Sequence, residues 1–395
     1  MFSKEFINLK KRDSMNNIIK KIDDMAEHYF NIWEDVCNIE SPTNHKKGVD
    51  NVGKYFADLA DKRGWKVEYS KQKEAGDVVC ITMNHASKSE PVTLSGHIDT
   101  VHPVGTFGTP AVHRDAEKIY GPGVTDCKGG VVAAFMAMDV LEKCGFDKRP
   151  VRLLLQTDEE TSCKTSGGKT IKYICDKSKD SVVFLNLESY AKGKATLSRK
   201  GIVSYKFDVV GKEGHSSRCV TEGANAVVDA SYKIIELDKF KDDDGITCNC
   251  AIVSGGTVVN TIPGQCTFSV NFRYATNEQL AIIEDFISNL ASTVHVPGCK
   301  CTYEKISSRP AMEKTEVNVK ILEKVNEIFE KYNIQTLEGR MLRGGSDAAY
   351  VTQCGIPCID SLGTEGGGSH SVNEYAKLNS LLDAAKRIAV IAYNI

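Results

Sequence analysis

The stretch Pro91-Val92-Thr93-Leu94-Ser95-Gly96-His97-Ile98-Asp99 begins as a short apolar run and ends in a histidine and an aspartate. Two similar runs follow at 151–155 and 181–185, and each leads into acidic residues. Short runs rich in Val and Leu are typical of buried parallel strands. Open α/β sheets bind their ligands just beyond the carboxyl ends of such strands. The sequence therefore predicts one shared site at that edge of a parallel sheet.

Side chains of the kinds that bind metal gather in five short segments. These segments are Ser95–Asp99, Gly121–Asp126, Thr157–Glu160, Asn186–Glu188 and Gly368–His370. Zinc accepts imidazole nitrogen and carboxylate oxygen, and a catalytic ion has about three protein ligands. Two histidines and three carboxylates thus suit two ions that share one bridging ligand. Calcium and magnesium are disfavoured because they prefer oxygen ligands.

Each of these residues has a simpler explanation when it is taken alone. A single Asp or Glu at the end of a strand is commonly solvated or caps a helix, and a lone His is more often structural than a ligand. Five such segments in order on one αβ scaffold favour the metal site.

Glu159 and Glu160 are expected in an extended segment, where neighbouring side chains point in opposite directions, so only one of them can face a given ion.

Asp99 is expected to orient His97. A metal-bound imidazole usually donates its second N–H to a carboxylate. Asp99 follows His97 by two residues and would lie on the same face of an extended segment.

Length and composition indicate a soluble globular protein. The 395 residues suggest roughly two domains. A net charge of −2 gives no field that would favour nucleic acid or an anionic membrane. Residues 1–6 lack the apolar centre of a signal peptide, and the most apolar stretch, 131–141, is too short to span a bilayer, so we expect a cytoplasmic protein. The 14 scattered cysteines are expected to be reduced and to pack as small apolar residues.

The order of the predicted elements indicates an α/β fold with a mostly parallel twisted sheet flanked by helices. Helices are predicted at 16–40 and 52–62, and a strand is predicted at 356–362. Between 201 and 307 the pattern changes to strand, helix, strand, strand, helix, strand. This βαββαβ order is that of a ferredoxin-like unit. We therefore predict a discontinuous domain, 1–197 with 309–395, and an inserted domain at 198–308.

Six motifs together resemble a known family, over residues from about Ile22 to Ala392. They are GHIDTV at 96–101, GPGVTDCKGG at 121–130, TDEE at 157–160, GKEGH at 211–215, GGSDA at 344–348 and HSVNE at 370–374. The family is the dizinc metallopeptidases that include glutamate carboxypeptidase, aminoacylase, acetylornithine deacetylase and succinyl-diaminopimelate desuccinylase. The glutamate carboxypeptidase branch is the most similar.

The resemblance assigns a role to each metal-type side chain. It implies two Zn²⁺ per subunit, with Co²⁺ or Mn²⁺ as possible substitutes, and Asp126 as the bridging carboxylate. His97 and Glu188 would complete one ion, and Glu160 and His370 the other. Glu159 would be the general base, an order that the residues alone leave open. The resemblance further implies a cis peptide bond between Asp126 and Cys127.

The inserted domain would act as a lid and a dimerisation domain. By resemblance, His215 would enter the active site of a partner subunit in a homodimer and stabilise the oxyanion. Asn260 would contact the substrate, and Arg273 would bind its carboxylate through two hydrogen bonds. Without the resemblance, His215 and Asn260 would be ordinary turn residues and Arg273 a surface ion pair. Gly345 and its neighbour Gly344 would either approach the substrate closely or form a flexible loop.

The expected function is hydrolysis of an amide bond next to a free α-carboxylate, as in glutamate carboxypeptidase. A hydroxide that bridges the ions would attack the carbonyl, with Glu159 as the general base. A small peptide or an N-acyl amino acid is the expected substrate. An N-acyl-amino-acid deacylase and a dipeptidase or tripeptidase are alternatives within the family. A catalytically silent dimer that binds a peptide or metabolite is the alternative from another class.

Overall fold

The computed structural model describes residues 4–241 and 245–395. The chain divides into two compact units. The larger unit holds Met1–Leu197, Lys314–Arg340 and Ser346–Ile395, and the smaller unit holds Ser198–Glu313 and Met341–Gly345. The smaller unit thus includes 309–313 and 341–345, which the sequence assigned to the first domain. Residues 1–3, in the N-terminal segment read for a signal peptide, and 242–244, in the inserted domain, lie outside the described residues.

The described residues form ten α-helices, labelled here in chain order. They are α1 Lys4–Asp24, α2 Ala26–Asn38, α3 Lys46–Asp61, α4 Lys128–Lys143, α5 Lys169–Ser178, α6 Ala226–Lys239, α7 Asn277–Ser292, α8 Glu316–Lys331, α9 Ala348–Gln353 and α10 Leu378–Asn394. None of them is both long enough and apolar enough to cross a membrane.

The strands fall into the two units and a short pair at their boundary. The larger unit contains β1 Lys66–Ser70, β2 Val78–Met83, β3 Val92–His97, β4 His113–Arg114, β5 Lys118–Tyr120, β6 Val151–Gln156 and β7 Val183–Asn186. The boundary pair is β8 Lys194–Arg199 with β15 Glu338–Leu342. The smaller unit contains β9 Gly201–Val210, β10 Gly214–His215, β11 Thr247–Gly255, β12 Thr261–Ile262, β13 Gln265–Tyr274 and β14 Lys300–Arg309. The larger unit ends with β16 Cys358–Ile359, β17 Gly366–Gly367 and β18 Tyr375–Lys377.

The main sheet of the larger unit has the order β1-β2-β6-β3-β7-β16. The pairs from β6 to β16 are parallel, and β1 and β2 extend the sheet in antiparallel fashion. His97 is in register with Gln156, and Ser95 with Asn186. The carboxyl ends of β3, β6 and β7 therefore meet at one edge, as the sequence predicts. The prediction of a mostly parallel sheet flanked by helices is confirmed.

Helix α4 forms the centre of the hydrophobic core of the larger unit. Every residue from Lys128 to Leu141 is buried, and the helix packs against β3, α2 and α10. The one acidic residue in this stretch, Asp139, accepts hydrogen bonds from Tyr29 Oη at 2.7 Å and Arg63 Nε at 2.8 Å. Burial opposes its ionisation, but hydrogen bonds from Arg63, Lys143 and Tyr29 lower the pKa of Asp139 to about 2. The charge is thus accommodated inside the core.

The smaller unit is an antiparallel sheet with two helices. Its strand order is β11-β13-β9-β14, and its elements follow one another as β9, α6, β11, β13, α7 and β14. Both the chain order and the strand order are those of the βαββαβ unit. Phe207 stacks on Phe268 with ring centroids 4.6 Å apart in its separate core.

Two predicted elements are wrong in extent. The predicted helix at 16–40 breaks at Met25, whose ψ of 7° leaves the helical range. Asp23 and Asp24 precede the break, at a helix end where the helix dipole disfavours negative charge. The predicted strand at 356–362 is limited to β16, because Ser361 has a φ of +67° and its N–H binds the Asp360 side chain.

Helix α4 approaches the end of β7 so closely that it requires a glycine. A Cβ at Gly130 would lie 2.2 Å from the backbone oxygen of Leu187, one residue before Glu188. We expect Gly130→Ala to lower the free energy of unfolding by about 1–3 kcal/mol, because a backbone oxygen cannot move aside cheaply. Urea denaturation would show a lower midpoint with an unchanged slope.

Gly53 in α3 provides the matched control. The nearest atom to a Cβ there would be a side-chain methyl of Val79, at 3.0 Å, and the nearest backbone atom would be 4.0 Å away. Gly53→Ala should be neutral or stabilise by up to about 1 kcal/mol, because Ala favours the helix. Equal midpoints for the two variants would contradict this account of the approach.

Candidate metal centre

The five predicted metal-type side chains come together at the carboxyl edge of the main sheet. His97 ends β3, Glu160 lies in a 3-10 turn after β6, and Glu188 follows β7 by two residues. Asp126 immediately precedes Cys127 and α4, and His370 lies between β17 and β18. Residues that are distant along the chain meet here because parallel strands end at the same edge.

The Asp126 carboxylate lies between the two imidazoles. His97 Nε2 is 3.0 Å from Asp126 Oδ1, and His370 Nε2 is 3.4 Å from Asp126 Oδ2. Each oxygen of this one carboxylate therefore faces a different histidine.

Glu160 and Glu188 each approach a different histidine. His370 Nε2 is 3.1 Å from Glu160 Oε2, and His97 Nε2 is 3.9 Å from Glu188 Oε1. The donors thus form a set of His97, Asp126 and Glu188 and a set of His370, Asp126 and Glu160, which share Asp126.

The donor chemistry fits divalent metal. Donors of one zinc ion lie about 2.0–2.2 Å from it, so they lie a few ångströms from one another. One ligand atom each of His97, Asp126 and Glu160 lies within 4.8 Å of the others, and the same holds for His97, Cys127 and Glu188. Carboxylates that are gathered this closely repel one another unless cations lie among them.

Burial and neighbouring charge shift the proton affinities of these groups. Hydrogen bonds to Asp126 and Glu160 raise the pKa of His370 to about 10, and burial raises the pKa of Glu160 to about 7. Burial opposes the charged forms of Asp126 and His97. Hydrogen bonds from His370 and His97 nevertheless keep the pKa of Asp126 below its usual value, and interactions with Cys127, Asp126 and Asp99 hold the pKa of His97 well above its usual value. In the protein without metal, protons on the imidazoles balance the carboxylates.

Asp99 departs from the expected arrangement. His97 Nδ1 lies 3.0 Å from the backbone oxygen of Asp99, nearer than the 3.5 Å to its carboxylate. The buried carboxylate instead accepts the Thr43 hydroxyl at 2.7 Å and the backbone N–H groups of Glu159 and Glu160 at 3.3 and 3.2 Å. Asp99 therefore joins the His97 strand end to the turn that carries both glutamates.

The expected extended conformation at Glu159 and Glu160 is wrong. Both residues lie in the 3-10 turn Glu159–Thr161. The turn forms because Asp99 takes both N–H groups and Ser162 N–H binds the Glu159 carbonyl at 2.8 Å. The alternation rule for strands therefore does not separate the two side chains.

Glu374 has a structural role that the sequence analysis did not assign. Its buried carboxylate accepts the backbone N–H groups of Gly123, Thr125 and Asp126 at 3.2, 2.9 and 3.1 Å. It thereby fixes the loop that presents Asp126. The only signal in the sequence was its place at the end of the HSVNE motif.

Cys127 lies directly behind His97. The Asp126–Cys127 peptide bond is cis, as the resemblance implied. The Cys127 sulfur accepts the His97 N–H at 3.2 Å, and burial raises the pKa of the thiol to about 12. The fourteen cysteines, all of which lie among the described residues, form no disulfide bonds.

In the smaller unit, His215 and Asn260 are neighbours. β10 pairs with β12, and Ser216 N–H donates to the Asn260 carbonyl at 3.0 Å. His215 Nδ1 accepts the Ser217 N–H at 3.2 Å. The neutral ring must therefore carry its proton on Nε2.

Arginines surround the segment that contains Gly345. Arg273 donates from Nη1 to the Arg343 carbonyl at 2.7 Å. Arg199 donates from Nη1 to the Gly344 and Gly345 carbonyls at 3.2 and 3.4 Å. A Cβ at Gly345 would lie 2.6 Å from the Arg309 side chain, so this position favours glycine. Sequence analysis identified Arg273 and Gly345 but not Arg199 or Arg309.

Comparison with known proteins gives the class of this fold and site. The profile of Peptidase family M20/M25/M40 matches residues 93–394. Carboxypeptidase G2 of Pseudomonas sp. (strain RS-16) is 27% identical over 378 residues, which cover 94% of this chain and 90% of the relative. Succinyl-diaminopimelate desuccinylase of Rickettsia felis is 25% identical, covering 89% and 96%.

Solved structures share the fold. Aminopeptidase PepT of Bacillus cereus has a TM-score of 0.77 at 18% identity, covering 93% of this chain and 98% of its own. A dinuclear metal binding peptidase from the M20 family of Bacillus subtilis has a TM-score of 0.68 at 14% identity, covering 94% and 98%.

The fold and site define a metal-dependent hydrolase of the peptidase and amidohydrolase type. The chain belongs to Peptidase family M20/M25/M40.

Metal binding should release a proton from His370. Ligands must be deprotonated, and with a pKa of about 10 His370 carries a proton at pH 8 in the metal-free protein. We expect His370 to contribute about one released proton per subunit when zinc is added to chelator-treated protein at pH 8. Calorimetry in buffers with different ionisation enthalpies would measure it. His370→Asn should release about one proton fewer, and an unchanged proton count would contradict the assignment.

Proposed function

We propose that this enzyme hydrolyses an amide bond next to a free α-carboxylate, in the manner of a glutamate carboxypeptidase. The observation that carries the proposal is the Asp126 carboxylate, whose two oxygens face two separate donor sets. The similarity to carboxypeptidase G2 over nearly the whole chain supports this substrate class. A small peptide or an N-acyl amino acid is the proposed substrate.

The proposed cofactor is a pair of Zn²⁺ ions, with Co²⁺ or Mn²⁺ as substitutes. His97, Asp126 and Glu188 would hold one ion, and Asp126, Glu160 and His370 the other. Bound ions of this kind polarise the scissile carbonyl and lower the pKa of water. The buried positions of His97 and Glu159 would exclude bulk water from the reacting groups.

Glu159 is the proposed general base. Its side chain is 7% exposed, and its backbone N–H is fixed by Asp99 at 3.3 Å. Asp99 would thereby act as a positioning residue for both His97 and Glu159. Glu159 would take a proton from the attacking water and pass it to the departing amine.

His215 is proposed to stabilise the oxyanion in the active site of a partner subunit. Because Nδ1 accepts the Ser217 N–H, the neutral imidazole presents Nε2–H as a donor. A donor aimed at a developing oxyanion is worth about 2.7–4 kcal/mol.

Arg273, Asn260 and Gly345 are the proposed substrate-binding residues. Arg273 donates from Nη1 to the Arg343 carbonyl, which would hold the guanidinium in place, and a planar guanidinium can bind a carboxylate through two hydrogen bonds. Asn260 adjoins His215 through Ser216, so the paired strands β10 and β12 would carry both contacts. Gly345 would let the backbone approach the substrate closely.

A homodimer through the smaller unit is the proposed assembly. β11 is an edge strand on which Ile252 and Val253 are 64% and 55% exposed. Tyr232 and Ile235 of α6 are also exposed apolar residues. Exposed edges and apolar patches of this kind are typical of pairing surfaces.

A cytoplasmic location stays a prediction from the sequence.

Three alternatives differ in substrate or class. Similarity to a desuccinylase supports an N-acyl-amino-acid deacylase, and a dipeptidase or tripeptidase is the other hydrolytic choice. A catalytically silent binding dimer is less well supported, because Glu159, the proposed general base, and all five proposed metal ligands are present in the sequence. A panel of peptides ending in glutamate, N-acetyl amino acids and tripeptides would separate these activities.

Glu159→Gln tests the mechanism. We expect kcat to fall by about 10²–10⁴-fold, because the amide cannot accept a proton, while metal content stays unchanged. Rates on the panel and elemental analysis of the same zinc-loaded sample would measure both. Glu316→Gln on the surface of α8 is the control and should keep the full rate. Hydrolysis near the wild-type rate in Glu159→Gln with metal bound would reject the mechanism.

Mixing two inactive variants tests the role of His215 in a partner subunit. In a mixed dimer of Glu159→Gln and His215→Ala chains, one active site would contain an intact Glu159 and an intact His215. We expect about one quarter of wild-type activity after subunit exchange, because half of the dimers would be mixed and each would have one intact site. Activity that stays at the level of the separate variants, in samples shown to exchange, would mean that His215 does not act across subunits.

A further inference from the structure

A cavity of about 410 Å³ lies in the larger unit apart from the metal centre. Its wall is formed by residues from α1, α10, the segments after Glu188 and α8, and Glu365 just before β17, and none of the five donors lines it. The charged residues of the wall are Lys192, Glu365, Asp383, Lys386 and Arg387. The volume is in the range of small-molecule sites, about 300–1,000 Å³.

Arg387 is a buried cation without an anionic hydrogen-bond partner. Its side chain is 7% exposed, and its guanidinium stacks over the Tyr190 ring at 3.7 Å. It donates from Nη2 to the Gly363 carbonyl at 3.0 Å, and its buried Nε has no hydrogen-bond partner in the described part of the chain. Burial lowers the pKa of Arg387, although Tyr190, Asp383 and Glu365 nearby oppose this effect. A buried cation that donates no hydrogen bond to an anion is costly, so this position favours an anionic ligand.

Of the four other charged residues that line the cavity, two form ion pairs with described residues and two do not. Lys386 pairs with Asp23 at 2.6 Å, and Glu365 pairs with Lys377. Among the described residues, neither Lys192 nor Asp383 takes part in an ion pair. The unpaired groups are therefore two cations, Lys192 and Arg387, and one carboxylate, Asp383.

The spacing of these groups suits a zwitterion. Asp383 precedes Arg387 by four residues in α10, so the two side chains lie one turn apart on the same face. We propose that this cavity binds a small α-amino acid, with its carboxylate held by Arg387 and Lys192 and its ammonium group by Asp383. A planar guanidinium can hold a carboxylate through two parallel hydrogen bonds. This proposal does not depend on the reaction at the metal centre.

Calorimetry on the zinc-loaded protein tests the proposal, with L-glutamate, L-leucine and L-alanine as probes. We expect at least one of them to bind, and its affinity to fall about tenfold or more in Lys192→Ala, Asp383→Asn and Arg387→Gln. Lys192 and Asp383 are exposed, so these two variants keep the test valid if Arg387→Gln fails to fold. Lys320→Ala, an exposed lysine of α8 outside the cavity, should bind as the wild type does. Binding of amino acids at the metal centre would be the same in all four variants.

Probes that lack one charge complete the test. Propionate and propylamine should each bind at least about tenfold more weakly than L-alanine, because each can satisfy only one part of the site. The proposal would be overturned by no binding of any of the three amino acids. Equal affinity in the wild type, Lys192→Ala and Asp383→Asn would also overturn it.

Discussion

The position of the Asp126 carboxylate between two histidines is the constraint on which the candidate centre depends. One oxygen faces His97 and the other faces His370, so Glu188 and Glu160 fall into separate donor sets. This orientation requires a rigid backbone at 123–126. Glu374 provides it by accepting the N–H groups of Gly123, Thr125 and Asp126 in that loop. The loop thus holds the Asp126 carboxylate in a position where it contacts both histidines at once.

The parts of the fold that the sequence predicted well are those governed by burial. β3, β6 and β7 are buried runs of Val and Leu, and such runs have one stable place in an α/β protein. Their parallel pairing then brings His97, Glu160 and Glu188 to one edge. The βαββαβ order of the smaller unit could also be predicted, and its two central strands, β9 and β13, alternate between buried and half-exposed residues.

The parts that sequence analysis missed depend on long-range hydrogen bonds. The 3-10 turn at Glu159 exists because Asp99, 60 residues earlier, binds its N–H groups. The strand at β16 ends early because the Asp360 side chain binds the next backbone N–H. No local sequence pattern predicts which carboxylate will accept a hydrogen bond from which backbone N–H group. The same holds for Arg387, an ordinary helix residue in the sequence, whose burial without an anionic hydrogen-bond partner among the described residues is visible only in the folded protein.

The hydrogen bond from Asp126 N–H to Glu374 joins residues 248 positions apart. During synthesis, the Asp126 loop would leave the ribosome long before its anchor exists. The centre would be assembled only when the last part of the larger unit folds onto the rest. A chain that stops before His370 would still contain four of the five donors, yet it would lack Glu374, the anchor that orients Asp126. Ordered metal binding would then require that synthesis has passed Glu374.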